Sequence, residues 1–448
     1  MNNIKINTFT VFNMLLSGML FLMFGNNLYA QASNEYSLTL EQAIEYAMTN
    51  NTDVRTSELH HSIQQAKFRG ASAVFLPQIG VEYNALRTND PLNVFGFKLK
   101  QQSVTMQDFD PTLLNNPDGY ENYSARIEVR QPVFNADMIS QRNAARTMTR
   151  SSREQIGATK SMTRFEVSKL YYQLLLQQEQ IKVLESGLKT AEAYHKQAKS
   201  AFAEGIISRS DVMASSVFEM DLRSRLLQTQ NEYANLAEQF LLVVGLPENT
   251  SLTLTDDLTG RQEKHINVPF DGALNNAYLR AIEYQVEAAD YMQAAARNAW
   301  LPRVNVFASY EFNDPKVAGF GSDAYMIGAQ VSWTIFSGLQ RSGALREAQA
   351  QRKTAEIMLA HTQREFTVQL EQAYRNLEHA QLQIELTQAM IEQAQEDARI
   401  RENRFNEGME QTTNLLQAET RLLEAKLNHS FALFQQKMSL AAIQMILE

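Results

Sequence analysis

A strand that runs straight into a helix far longer than a compact domain uses constrains this chain more than any other feature. Tyr123, Ala125, Ile127 and Val129 alternate with Ser124, Arg126, Glu128 and Arg130, a period of two that reads as a strand. Gln131-Pro132-Val133-Phe134-Asn135 follows, and from about Asp137 to Ala203 there is no proline and the period is helical. A helix of about 65 residues is roughly 100 Å long at about 1.5 Å per residue. The device recurs. Tyr325, Ile327, Ala329, Val331 and Trp333 alternate with Met326, Gly328, Gln330, Ser332 and Thr334, and Ile335-Phe336-Ser337-Gly338 opens a second proline-free stretch to about Asn406. Phe336 stands where Phe134 stood, which points to an internal repeat.

Residues 1–30 read as a secretory signal peptide. Lys5 is their only charge, Val11 to Phe24 is largely apolar, and Leu28-Tyr29-Ala30 offers an end for cleavage. The chain has no Cys, which excludes a lipid-anchored mature terminus, disulfides and Cys-bound metal. No other segment approaches the roughly 18 uncharged apolar residues of a spanning helix. The formal charge is −9, or −10 without Lys5, which argues against nucleic acid as a partner. A mean hydropathy of −0.34 describes a water-exposed chain.

Each half follows one plan. The first repeat, 31–247, opens with helices over 38–76, where Leu40, Ala43, Ile44 and Ala47 make an apolar stripe and Leu76-Pro77 ends the run. Strands are expected over 79–87 and 122–133, with a loop between them that holds a short hairpin around Phe95 to Val104. The long helix is set at 136–203. Its seam, Ile181, Leu184, Leu188, Ala191, His195, Ala198 and Phe202, alternates spacings of three and four, a heptad pattern. His195 reads as a partly buried polar seam position, since no second ligand stands beside it. Gly205 supplies a C-cap, Ser210 caps a returning helix over 210–244, and Gly245-Leu246-Pro247 breaks it. A polar linker spans 248–270. The second repeat, 271–448, gives a helix over 271–300, strands over 303–312 and 323–334, a long helix over 338–406 and a returning helix over 411–446. Phe405-Asn406-Glu407-Gly408 aligns with Phe202-Ala203-Glu204-Gly205.

Four strands facing lipid as an open sheet would leave bare edges, which hydrocarbon does not tolerate, so several copies must close such a sheet together. Residues 123–130 put Tyr, Ala, Ile and Val on one face and Ser, Arg, Glu and Arg on the other, an alternation shared by outer-membrane barrels and half-buried soluble sheets. Leu76-Pro77-Gln78-Ile79-Gly80, Gln131-Pro132-Val133-Phe134-Asn135, Phe336-Ser337-Gly338 and the two Phe-x-x-Gly turns, in this order and duplicated, resemble the TolC-like outer membrane efflux protein family over about 38 to 447. The resemblance implies a mixed α and transmembrane β fold. Four strands per chain enter a trimeric, twelve-stranded outer-membrane β-barrel, continuous with a long periplasmic α-helical coiled-coil tunnel, and the shorter helices meet at an equatorial belt. It implies a homotrimer in outer-membrane lipid that serves as a passive exit duct for small molecules or secreted proteins. A periplasmic adaptor and an inner-membrane pump are its partners, and no cofactor, metal or catalysis is involved.

The same resemblance implies a periplasmic gate at the turns. Asp211 matches an acidic position, Asn414 and Gln417 stand where the best-studied members constrict with aspartates, and Glu410 replaces a basic latch residue. Asn and Gln rings carry no net charge, so weaker selectivity is expected, with Asp211, Glu407 and Glu410 keeping the tip electronegative. Phe202, Glu204, Gly205, Arg209, Phe405, Glu407 and Gly408 are expected to pack the turns and to meet the adaptor. In the barrel, Arg126, Glu128 and Arg130 are expected to line the lumen, and Tyr123, Ile127, Tyr325 and Trp333 to face lipid. The competing reading is a periplasmic coiled-coil scaffold or adaptor protein without a pore. An exported enzyme lacks any convergent reactive set.

Overall fold

The computed structural model describes residues 35–247, 250–259 and 276–448. The expected signal over 1–30 and most of the linker lie outside them. A short strand β1 (Glu35–Leu38) precedes α1 (Leu40–Asn50) and α2 (Thr52–Ala71). Thr39 closes a capping box with Gln42, and the Asn51 side chain accepts from the Asp53 and Val54 amides, so the break between the two helices is itself a cap. A 3-10 turn over Ser72–Phe75 leads to Pro77 and β2 (Gln78–Thr88). After an insert carrying α3 (Pro91–Lys100) and α4 (Pro111–Asn115), β3 (Tyr120–Phe134) enters α5 (Ala136–Ala203), and α6 (Arg209–Val244) returns. The strand β4 (Ser251–Leu254) and α7 (Ala277–Asn298) follow, then β5 (Arg303–Asp314), β6 (Ser322–Ser332), α8 (Gln340–Asn406) and α9 (Thr412–Leu447).

The 68-residue α5 and 67-residue α8 are each roughly 100 Å long. Along one flank of α5 lie α2 and then α6, whereas α7 and then α9 fill the space between α5 and α8. The helical layer therefore ends in two flanks, one made by α2 and α6 and the other by α8. Its best-packed region is the middle, where β1 pairs in parallel with β4 and covers α5. Leu38, Leu254 and Leu258 are buried there with Tyr171, Leu174, Phe240 and Val244. Tyr171 Oη lies 3.0 Å from Leu38 O and 2.8 Å from Asp256 Oδ2, and burial pushes the Tyr171 phenol above its usual range. The end of α6 joins this belt. Gly245 has φ +81°, and a Cβ there would meet Asn50 Cβ at 2.7 Å, so only glycine fits. Asn51 Nδ2 donates to Val243 O at 2.8 Å.

At the far end the other four strands form one antiparallel sheet in the order β2-β3-β5-β6. The β3–β5 pairing joins the two repeats, and β2 and β6 are left with free edges. The β3 register shifts between Pro132 and Phe134, where proline has no amide to donate.

Three local expectations are corrected. The hairpin expected around Phe95 to Val104 is helical: Asp90 accepts from the Asn93 amide with Pro91 in the first turn, and Asp110 and Pro111 start α4 in the same way. The cap of α6 is Ser208 rather than Ser210, because Asp211 stands three residues on and completes a capping box with it. The two strand-to-helix junctions also differ. The first passes through Asn135 alone, but the second runs from Ser332 to Gln340 with Gly338 at φ +61° and Leu339 at φ +71°.

Candidate functional sites

At the tip of the helical layer, both long helices end in one motif. Gly205 N donates to Phe202 O at 3.0 Å and Ile206 N to Ala201 O at 2.9 Å, with Gly205 at φ +70°. In the second repeat Gly408 N donates to Phe405 O at 3.0 Å and Met409 N to Arg404 O at 2.8 Å, with Gly408 at φ +74°. These are Schellman caps, and the left-handed residue explains the glycine in each turn. Their phenylalanines have different environments. Phe405 is 9% exposed and packs with Tyr194, Leu415 and Leu416, whereas Phe202 is 44% exposed.

Two carboxylates of the tip, Asp211 and Glu410, are engaged within the chain. Asp211 Oδ2 accepts from Ser208 N at 3.1 Å and lies 2.6 Å from Ser208 Oγ, and this hydroxyl holds the Asp211 carboxyl below its usual range. Glu410 accepts from Asn414 Nδ2 at 2.7 Å and lies 3.8 Å from both Arg401 Nη1 and Arg404 Nε. The Asn414 amide, the Gln411 amide and the two guanidinium groups keep Glu410 below the ordinary carboxylate range. Asn414 is thus the hydrogen-bond partner of Glu410, whereas Gln417 is exposed on α9. Arg209, Glu204 and Glu407 are exposed. Arg401 stands closer to Asp397, to whose Oδ1 its Nε donates at 2.9 Å, than to Glu410. Gln197 Nε2 donates to Asn406 Oδ1 at 3.0 Å and ties the two turns together. Sequence reasoning missed Ile206 and Met409, the residues after the turn glycines, whose apolar side chains are exposed, as is that of Phe202.

Further up α5, His195 Nδ1 lies 2.9 Å from Ser215 Oγ on α6, so the seam histidine is a buried, hydrogen-bonded position. Among the described residues no group of three or more His, Asp or Glu is placed to hold a metal ion.

The sheet has two unlike faces. Register places Arg126, Glu128 and Arg130 with Glu82, Asn84, Ser309 and Glu311. Arg126 Nε donates to Glu311 Oε2 at 3.0 Å, and Arg130 Nη2 donates to Glu128 Oε1 at 2.7 Å. The opposite face carries Ile79, Val81, Tyr83, Tyr123, Ile127, Val129, Tyr325, Ile327 and Val331. Nothing in the chain covers most of it: Val81, Tyr325 and Ile327 are about three-quarters exposed. Where strands meet helices, Phe75, Leu76, Phe134, Trp300, Leu301, Trp333, Ile335 and Phe336 are all exposed, and Trp333 Nε1 donates to Trp300 O at 3.0 Å. An apolar band ended by a row of aromatics is what a lipid bilayer and its interface select.

The family model described as outer membrane efflux protein matches residues 43–245 and again 271–447, once for each repeat. A probable efflux pump outer membrane protein of Pseudomonas putida, TtgC, is 20% identical over 395 residues, covering 86% of this chain and 78% of that protein. The alkaline protease secretion protein AprF of Pseudomonas aeruginosa is 21% identical over 422 residues, covering 90% and 83%. In fold, the chain is similar to the crystal structure of the CmeC outer membrane channel of Campylobacter jejuni, with a TM-score of 0.81 at 13% identity over 94% of this chain and 90% of that one.

Proposed function

The chain belongs to the outer membrane efflux protein family, and on that premise we propose how its copies assemble and where they narrow. It is an outer-membrane channel-tunnel that extends into the periplasm and works with a periplasmic adaptor and an inner-membrane pump. The pump supplies the energy and the duct is passive.

The observation that carries the assembled form is the open four-stranded sheet with an uncovered apolar face. Unpaired backbone groups at its two edges would each cost several kcal/mol in hydrocarbon. Three copies joined β6 to β2 remove every edge and give the expected twelve strands, with Arg126, Glu128 and Arg130 turned to water. The helical flanks support the same closure. On α6, Met213, Val217, Met220 and Leu227 are exposed at heptad spacing, and on α8 Leu382, Leu386 and Met390 are exposed in turn. One stripe lies on each lateral flank, so the α6 of one copy fits the α8 of the next. A pore-free scaffold gives no reason for an uncovered apolar sheet.

The relatives' names point to cargo as different as solvents, antibiotics and a protease. We assign the narrow part to the tip, where Gln417 and Asn414 line the way, Glu410 is held by Asn414, and Phe202, Ile206 and Met409 offer the adaptor an apolar surface. Conductance and ion selectivity of the purified mature protein in planar bilayers test this. Gln417→Asp is expected to raise cation selectivity. Asn414→Asp is expected to do so and also to increase the open time, because a second carboxylate would face Glu410. Selectivity unchanged in both variants moves the constriction elsewhere.

A further inference from the structure

The segment 89–119 connects neighbouring strands, β2 and β3, yet it reaches across the whole sheet. Lys100 Nζ donates to Glu311 Oε1 on β5 at 2.9 Å, and Ser322 Oγ on β6 donates to Lys100 O at 2.6 Å. Gln101 Nε2 donates to Asn122 Oδ1 and to Glu121 O on β3, both at 2.9 Å, and Tyr120 Oη donates to Gln101 Oε1 at 2.9 Å. Asn122 Nδ2 in turn donates to Asn313 Oδ1 at 2.9 Å. Tyr120, Asn122, Glu311, Asn313 and Ser322 all share the face of Arg126. Asn122, Asn313 and Ser322 are at most 3% exposed on a sheet face that is otherwise open, because the end of α3 covers them. The insert is folded in its own right: Val94 is buried, the Phe95 and Phe109 rings meet edge to face, and Lys98 Nζ donates to Asp108 Oδ1 at 2.5 Å.

We propose that residues 89–119 form a constriction inside the outer mouth of the duct, fixed to the wall by Lys100–Glu311–Arg126 and Gln101–Asn122–Asn313, and that it limits the size of what leaves. This rests on the three-copy barrel of the preceding section, in which the polar face lines the lumen. Three inserts then reduce the bore from three sides at the end opposite the periplasmic tip. Because each is packed and hydrogen-bonded, it acts as a fixed obstruction rather than a loose fringe. An exposed ion pair alone holds little, so release requires loss of the buried polar contacts as well.

The test uses the full mature chain in planar bilayers, with polyethylene glycols of graded size added on the outer side. A Lys100→Ala/Gln101→Ala/Ser322→Ala variant is compared with a chain whose residues 92–117 are replaced by a short Gly-Ser link. A second readout exploits the absence of Cys. Ser124→Cys, on the lumen face and 7% exposed, gives a single thiol whose modification rate by an impermeant reagent does not depend on the state of the tip. Release of the insert is expected to admit larger polymers and to speed thiol modification in both backgrounds. An unchanged polymer cut-off together with an unchanged modification rate overturns the constriction while leaving the duct intact. A parent protein that neither trimerises nor conducts overturns the duct reading, and this inference with it.

Discussion

Two glutamates on the last helical hairpin respond to pH in opposite directions. Glu410 is stabilised as an anion by Asn414, by the Gln411 amide and by two arginines, so its folded pKa lies below its ordinary value of 4.5. Its contribution to stability is present above the ordinary value and is lost as pH falls through the lower, folded one. Burial and the nearby Glu402 raise the pKa of Glu419, against the opposing hydrogen bond that the Tyr194 hydroxyl donates at 3.0 Å. The neutral form fits the fold better, so its favourable contribution is present below pH 4.5 and is lost as pH rises through the folded value. Glu419→Gln is expected to raise stability at neutral pH by on the order of 1 kcal/mol and to leave it unchanged in acid, as read from thermal unfolding at both pH values. Equal effects at the two pH values would mean that Glu419 acts through packing alone. The sequence showed that Glu410, Asn414 and Gln417 belong to a turn and the start of a helix. It did not show that two arginines stand 3.8 Å from Glu410, because Arg401 and Arg404 reach it only once the Schellman cap has folded the chain back.

At the scale of elements, legibility followed length. The helices α5 and α8 show in sequence because tens of residues without proline repeat one period, and averaging over them removes local ambiguity. Strands β2, β3, β5 and β6 show because one face is apolar and the other polar. The four-residue strands β1 and β4 are too short to display a period, and their pairing is parallel and distant in sequence. The insert was misread because Asp-Pro reads as turn chemistry, although here it twice begins a helix. The joint at the belt depends on short-range fit. Asn51→Ala removes both the cap of α2 and the bond to Val243 O, with an expected cost of about 2 kcal/mol. Gly245→Val places a branched side chain at φ +81° against Asn50 and is expected to cost more, both being measured by denaturant unfolding.

For the whole molecule, closure separates variants that harm the fold from variants that harm assembly. Val217→Glu and Leu227→Glu alter side chains that are exposed within the chain, so helix content is expected to be retained while the trimer is lost in detergent, as read by sedimentation. Trimers of normal stability would show that α6 does not meet its neighbour. Ile327→Lys on the lipid face is expected to destabilise the membrane-inserted form by about 2–4 kcal/mol. The two tip turns share a backbone but not a surface, since Phe405 is tucked inward and Phe202 is left outside. A ring of three chains therefore presents six turns of two alternating kinds. A single substitution at a turn is read three times around the axis rather than six, and each class of turn is free to diverge toward a different contact on whatever ring docks against it.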